Sequence, residues 1–114
     1  MSVKLSTRQA GDVTVLDVSG RITIGEGSSL IREKLRDLTT EGHKKILLNL
    51  GEVPYMDSTG IGELVAGFTT AEKAGGTVKL LGLTKHVKDV LQISRLYTVF
   101  EAHDDEAEAV QSFA

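Results

Sequence analysis

Hydrophobic and polar residues follow two different periods along the chain, and their order predicts an α/β fold. Near the N-terminus Val3 and Leu5 alternate with polar residues, which is the period of a half-buried strand. A short turn at Ala10–Asp12 precedes a second strand, Val13–Val18, and we expect the two strands to form a hairpin. The second strand has apolar residues on both faces, so both faces are expected to be covered.

Helical spacing of apolar residues appears in three longer segments. We expect the first helix to be capped by Ser28 or Ser29 and to stop at Gly42, the second to close at Gly75, and the third to be capped by Thr84. The inward positions of these helices are, in order, Ile31, Leu35 and Leu38; Ile61, Leu64, Val65 and Phe68; and Val87, Val90 and Leu91.

The remaining apolar runs predict further strands and a terminal helix. Ile46–Leu50 has the continuous apolar character of a central strand, Thr77–Gly82 follows as another, and Val99–Phe100 suggests a brief last strand. Asp104 or Asp105 is expected to start a final helix with Ala107, Val110 and Phe113 inward. The order β-β-α-β-α-β-α-β-α predicts one domain over residues 1–114, a mixed parallel and antiparallel sheet of four to five strands with four packed helices.

Composition narrows the classes of function. The 114 residues carry a formal net charge of -3 with basic residues scattered, so no basic face is available for nucleic acid. There is no cysteine, which excludes disulfides and thiolate chemistry. The chain shows neither a signal-peptide block nor an apolar run near the roughly 20 residues that span a bilayer. We therefore expect a cytoplasmic protein without membrane insertion.

Ser58 is the candidate functional residue from position alone. It follows the predicted central strand and begins the helix with the strongest pattern, at the sheet edge where ligands gather in α/β folds. Free N–H groups and the helix dipole would favour an anion there. Gly60 and Gly62 leave the helix start open, and glycines at 62 and 67 each cost about 0.5–1 kcal/mol relative to Ala. A simple capping turn remains the alternative.

The residues present do not match the motifs of several known catalytic and nucleotide-binding sites. Asp57-Ser58-Thr59-Gly60 has one residue too many for the aspartic protease triplet, and Met56 replaces the first glycine of a serine hydrolase elbow. The sequence contains no glycine-rich phosphate-binding loop followed by lysine, so nucleotide binding by that motif has no support. The three histidines are isolated, so we expect neither a metal site nor a cofactor, and we treat them as surface residues: His43, His86 and His103.

The segment Val53–Gly62 resembles the signature of STAS domains, and specifically that of bacterial anti-sigma factor antagonists. Supporting pieces occur in the family's order: Val18–Ile22 resembles its glycine turn, Ile46–Leu50 its central strand and Gly75–Leu80 a later strand. The helix over 84–91 and the apolar pair at 99–100 also match. The resemblance covers essentially the whole chain.

This resemblance implies a partner-switching regulator that is not an enzyme and has no small-molecule substrate. The unphosphorylated antagonist would bind an anti-sigma factor with serine kinase activity and so release a sigma factor. Phosphorylation of the residue matching Ser58 would end that binding, and a PP2C-like serine phosphatase would reset it. The serine at the acceptor position favours this branch of the family.

The neighbours of Ser58 have roles that stay open at this point. Asp57 either caps the helix or orients the Ser58 hydroxyl and the kinase's metal, and Thr59 is either a second acceptor or part of the turn. The resemblance also implies a partner-binding surface, formed by Asp57, Ser58, Thr59, Gly60, Gly62, Arg21, Ile22 and Thr23. For the segment 21–23, a plain solvated connection is the alternative.

Other functions within the same family remain. The chain could be the accessory subunit of a membrane lipid or anion transporter, or a stressosome-type scaffold subunit. A third class, a small-ligand or nucleotide sensor, predicts saturable binding of that ligand to the isolated domain.

Overall fold

The computed structural model describes residues 3–23, 28–95 and 98–114. Within them the chain forms five strands and four helices in the predicted order. Their bounds are β1 Lys4–Ala10, β2 Val13–Ser19, α1 Ser28–Thr40, β3 Lys45–Glu52, α2 Ser58–Lys73, β4 Thr77–Leu81, α3 Lys85–Ile93, β5 Ala102–His103 and α4 Glu106–Gln111.

The strands form one mixed sheet in the order β1-β2-β3-β4-β5. β1 is antiparallel to β2 across the predicted hairpin, and all later neighbours are parallel. Leu16, Leu48 and Leu80 occupy matched positions on three adjacent strands and are fully buried. The predicted fold class, a mixed sheet of four to five strands with four helices, is confirmed.

The sheet is covered on both faces, as the sequence of β2 predicts. Leu16 and Val18 point into the larger core, which α1, α2 and α3 close with the inward residues expected of them. Val13 and Val15 point the other way, into a smaller cluster that α4 covers through Ala109. Because only the loop 53–57 separates β3 from α2, the start of α2 lies at the carboxyl end of this central strand.

Two details near the C-terminus differ from the prediction. The last strand is Ala102–His103, and the apolar pair before it does not belong to the sheet: Phe100 is buried edge-to-face against Phe68 with ring centroids 5.1 Å apart, and Val99 is 38% exposed. A two-residue strand is too short to show a period. The apolar character of Val99 and Phe100 reflects the contact of Phe100 with Phe68 and not a strand.

The terminal helix also buries a different alanine. Asp105 caps it, accepting a hydrogen bond from the Glu108 N–H at 2.9 Å. This start makes Ala109 the buried position and leaves Ala107 exposed, whereas Phe113 packs against the smaller cluster as expected.

The other predicted caps are only partly observed. Ser29 is the second residue of α1, and the side chain of Ser28 lies outside the described residues, as does the loop 24–27. Thr84 precedes α3 as predicted, but its hydroxyl makes no capping bond. It donates instead to the Val53 carbonyl oxygen at 2.8 Å, which ties the start of α3 to the loop leading to Ser58.

Candidate functional site

Ser58 is the first residue of α2, and its side chain is exposed. The loop 53–57 connects it to the end of β3. Val53 and Met56 are buried and anchor this loop in the core, while Tyr55 is half-buried. The structure therefore places Ser58 where the sequence predicts it, at the start of α2, after a loop that is anchored in the core and with its side chain open to solvent.

Asp57 caps α2. Its backbone is extended, with φ -88° and ψ 179°, and its Oδ1 accepts a hydrogen bond from the Gly60 N–H at 2.8 Å. The carbonyl oxygen of Asp57 accepts from the Ile61 N–H at 3.0 Å, which is the first bond of the helix. Of the two roles considered for Asp57, the cap is thus observed.

The segment 21–23 lies directly beside the loop that carries Ser58. Ile22 and Met56 form a parallel β-bridge. The Ile22 N–H donates to the Tyr55 carbonyl oxygen at 3.0 Å, and the Asp57 N–H donates to the Ile22 carbonyl oxygen at 3.1 Å. The segment is therefore not a plain solvated connection, because its backbone is hydrogen-bonded to the loop that carries Ser58 and supports it.

Within that segment the three side chains face different surroundings. Arg21 is exposed and Thr23 is half-buried, so both are accessible beside Ser58. Ile22 is fully buried, and its side chain supports the site from below instead of facing solvent.

The three glycines of α2 differ in how much space surrounds them. A Cβ at Gly60 would lie 2.8 Å from Met56 Cγ and 2.9 Å from Ile22 Cγ2, so only glycine fits there. A Cβ at Gly62 would meet nothing within 4 Å. At Gly67 the absent Cβ makes room for Leu35, whose Cδ1 would be 2.6 Å away. Packing thus accounts for Gly60 and Gly67, whereas Gly62 is exposed and bare.

A stack of three side chains that no sequence pattern predicts is centred on Tyr55, in the loop that leads to Ser58. The Arg21 guanidinium lies 4.4 Å from the centroid of the Tyr55 ring, and the His86 ring stacks on Tyr55 with centroids 4.7 Å apart. The expectation that the histidines are surface residues holds only in part: His86 is half-buried, with Nε2 3.4 Å from the Met56 carbonyl oxygen, and His43 and His103 are half-buried as well. The three stacked residues are distant in sequence and share no spacing that would have revealed the contact.

A polar network crosses the opposite face of the sheet. Arg8 binds Asp17 at 2.7 Å and Glu106 at 2.6 Å, and these hydrogen bonds hold the pKa of each carboxyl below its usual range. Asn49 donates to Asp17 at 2.8 Å and accepts from the Gly51 N–H at 3.0 Å. An open groove of about 740 Å³ runs along this network, and none of its lining residues belongs to the loop 53–57.

Among the hydrogen bonds of the described residues, none involves the Ser58 hydroxyl. Over the same residues, no three acidic or histidine side chains gather closely enough to hold a metal ion. None of the helices in the described ranges is long and apolar enough to cross a membrane.

The chain is thus a small α/β module, a mixed sheet with helices on both faces, that presents an exposed serine at the start of α2. The model of the STAS domain family matches residues 4–109, and the chain belongs to this family. The resemblance found in the sequence is thereby confirmed.

Individual relatives agree with this assignment. The anti-sigma-B factor antagonist of Bacillus subtilis (strain 168) is 29% identical over 101 residues, covering 89% of this chain and 91% of the relative. An anti-sigma factor antagonist from Mycobacterium paratuberculosis has the same fold, with a TM-score of 0.84, 17% identity, and 97% and 93% of the two chains covered. The Bacillus antagonist SpoIIAA in its unphosphorylated form gives a TM-score of 0.79 at 22% identity, with 96% of each chain covered.

Proposed function

We propose that this protein is an anti-sigma factor antagonist that acts in the cytoplasm as a binding regulator. Its unphosphorylated form binds an anti-sigma factor with serine kinase activity, and this releases a sigma factor. Phosphorylation of Ser58 by that kinase ends the binding, and a PP2C-like serine phosphatase restores it. The observation that carries this proposal is the exposed hydroxyl of Ser58 on a backbone fixed by the Asp57 cap and by Ile22.

The free domain can tolerate a phosphate at this position. Phosphorylation adds about -1.5 to -2 charges, and the start of α2 provides free N–H groups and the positive end of the helix dipole. Since Ser58 is exposed, the phosphate oxygens stay hydrated and no core contact is disturbed. The modification therefore requires no refolding.

The complex tolerates the same phosphate poorly. At a packed interface the phosphate would lose water and lie beside the Asp57 carboxylate, and both effects oppose binding. A tenfold loss of affinity needs only about 1.4 kcal/mol. Repulsion and desolvation of a doubly charged group in a buried contact exceed that amount.

The accessible residues around Ser58 form the proposed partner surface. Arg21, Thr23, Thr59 and Gly62 reach solvent beside it. Gly62 lies on the same face of α2 as Ser58, one turn further on, and its lack of a side chain lets another backbone approach closely. The other residues of the predicted surface hold it in shape: Asp57, Gly60 and Ile22.

One experiment tests both the phosphorylation of Ser58 and the binding of the partner. Purified protein is incubated with ATP and a soluble extract of its host, and phosphate is mapped by mass spectrometry. Ser58→Ala should remove the phosphate, whereas Ser6→Ala, which alters an exposed serine on β1, should not. Ser58→Ala should also retain a kinase-type protein as bait, and ATP should release that protein from the parent only.

The opposite result is equally informative. If Ser58 stays unmodified in an extract that modifies another antagonist, the partner-switching proposal fails. The alternatives are then a transporter accessory subunit or a scaffold subunit.

A further inference from the structure

Arg21 contacts no carboxylate among the described residues, and it lies close to the loop that carries Ser58. Among arginines at described positions, Arg8, Arg32 and Arg36 contact carboxylates, whereas Arg21 and Arg95 do not in that part of the chain. Arg21 lies instead on the face of the Tyr55 ring, 4.4 Å from its centroid. Such a contact at an exposed site is weak, so the guanidinium is readily available to a stronger partner.

The backbone keeps Arg21 close to the phosphorylation position. Because Ile22 is bridged to Met56, Arg21 lies beside Tyr55, and the chain from Tyr55 to Ser58 can span no more than about 11 Å. The hydrogen bond from the Asp57 N–H to the Ile22 carbonyl oxygen, at 3.1 Å, fixes this neighbourhood. The exposed side chain of Arg21 is long and can change rotamers toward Ser58.

We propose that Arg21 is the counter-cation of phosphorylated Ser58: it rests on Tyr55 in the unmodified protein and moves to the phosphate when Ser58 is modified. The inference rests on the proposed function for its biological setting. Arginine binds a phosphate through two parallel, charge-assisted hydrogen bonds, which are stronger than an exposed cation–π contact. The move removes a positive charge from the partner surface and stabilises the released form.

Phosphoserine inserted at position 58 during translation tests this without any kinase or partner. The ³¹P signal is titrated in the parent and in Arg21→Gln, Arg21→Lys and Arg95→Gln. A paired cation favours the dianion, so the second phosphate pKa should be lower in the parent than in Arg21→Gln by about one unit. Arg21→Lys should fall between them, because lysine pairs as a point charge.

The control is Arg95→Gln, which removes the same charge from another exposed arginine that has no carboxylate partner among the described residues. It should titrate like the parent. Proton shifts of the Arg21 side chain, displaced by the Tyr55 ring current, should return to ordinary values in the phosphorylated parent.

Equal titration of the parent and Arg21→Gln, with Arg21 still on Tyr55, overturns the proposal. Amide spectra of the unphosphorylated variants establish that each is folded. Since no kinase enters the experiment, this result is separate from the fate of the proposed function.

Discussion

The carbonyl oxygen of Ile22 accepts a hydrogen bond from the backbone N–H of Asp57 at 3.1 Å. Asp57 also caps α2 through its side chain and begins the helix with its own carbonyl oxygen. The residue before Ser58 is thus fixed by three hydrogen bonds on three different groups. Ser58 is thus presented on backbone that these bonds hold in place, so a modification of its hydroxyl would change the surface charge without requiring the backbone to rearrange.

Replacing Asp57 should separate its capping role from any role in phosphate transfer. Asp57→Ala removes the acceptor for the Gly60 N–H and should lower the free energy of unfolding by about 1 kcal/mol. Asp57→Asn keeps a good cap and should lie near the parent. Urea unfolding measures both.

Phosphorylation in host extract then decides the second role. If Asp57 only caps, Asp57→Asn is modified as fast as the parent; a loss of modification in this stable variant would show a role in transfer. Asp105→Ala, at the cap of α4, is the stability control far from Ser58.

The two glycines at the start of α2 should respond oppositely to alanine. Gly60→Ala forces a Cβ against Met56 and Ile22 and should destabilise the protein by about 1–3 kcal/mol. Gly62→Ala meets open space in a helix and should stabilise it by about 0.5–1 kcal/mol. Thermal unfolding distinguishes the two signs.

Gly62→Ala also tests the proposed partner surface. This variant should bind the proposed kinase partner more weakly despite its greater stability, because the new methyl group lies where the partner backbone would approach. Unchanged affinity in this variant would remove Gly62 from the proposed surface, leaving its exposed position without a function.

Periodicity predicted the elements well wherever the element was long enough to show it. The buried residues of α1 and α2 and the two faces of β2 follow directly from spacing, because burial on one side of a helix or strand repeats along the chain. β5 has two residues and no period, so the pair Val99–Phe100 was mistaken for it. Phe100 is buried against Phe68, a residue that is remote in sequence.

The site was predictable only in part for the same reason. Ser58 and the cap at Asp57 are local features, and the family resemblance brought Arg21–Thr23 to them. The stack of Arg21, Tyr55 and His86 depends on how α3 docks beside the loop 53–57, with Thr84 bound to Val53. No pattern within one segment encodes that docking, so the sequence alone does not reveal the contact of His86 with Tyr55.

The network around Arg8 should make stability depend on pH in the acid range. Asp17 and Glu106 have pKa values lowered chiefly by hydrogen bonds from Arg8, so their contribution is present above the pKa of the unfolded carboxyls, about 4, and is lost as pH falls through the lower folded values. All three side chains are partly exposed, so each pair should contribute only about 0.2–1 kcal/mol.

Arg8→Gln measures that contribution. It should be less stable than the parent at pH 7 by about 1 kcal/mol, and the difference should shrink toward zero as pH falls below about 4. Urea unfolding at several pH values checks this. A difference that stays constant with pH would mean that Arg8 acts through packing, and Arg36→Gln, at a looser exposed pair, provides the comparison.

Lys79 should hold the C-terminal residues onto the sheet. Its amine donates to the carbonyl oxygen and the hydroxyl of Ser112 at 2.8 and 2.9 Å, and lies 4.7 Å from the centroid of the Phe113 ring. Lys79→Met keeps the apolar stem but loses these bonds. Hydrogen exchange in α4 and the residues after it should therefore rise, while the amides of β3 stay protected.

Global stability should change less than this local effect, because the buried ammonium also costs desolvation that methionine avoids. Glu101 gives an independent readout. Its pKa is lowered first by His103 and then by Lys79, so Lys79→Met should raise the Glu101 pKa only part of the way to its usual range. Exchange in α4 equal to that of the parent would show that Ala109 and Phe113 hold the helix without Lys79. The apolar cluster, and not the amine, would then fix the C-terminus.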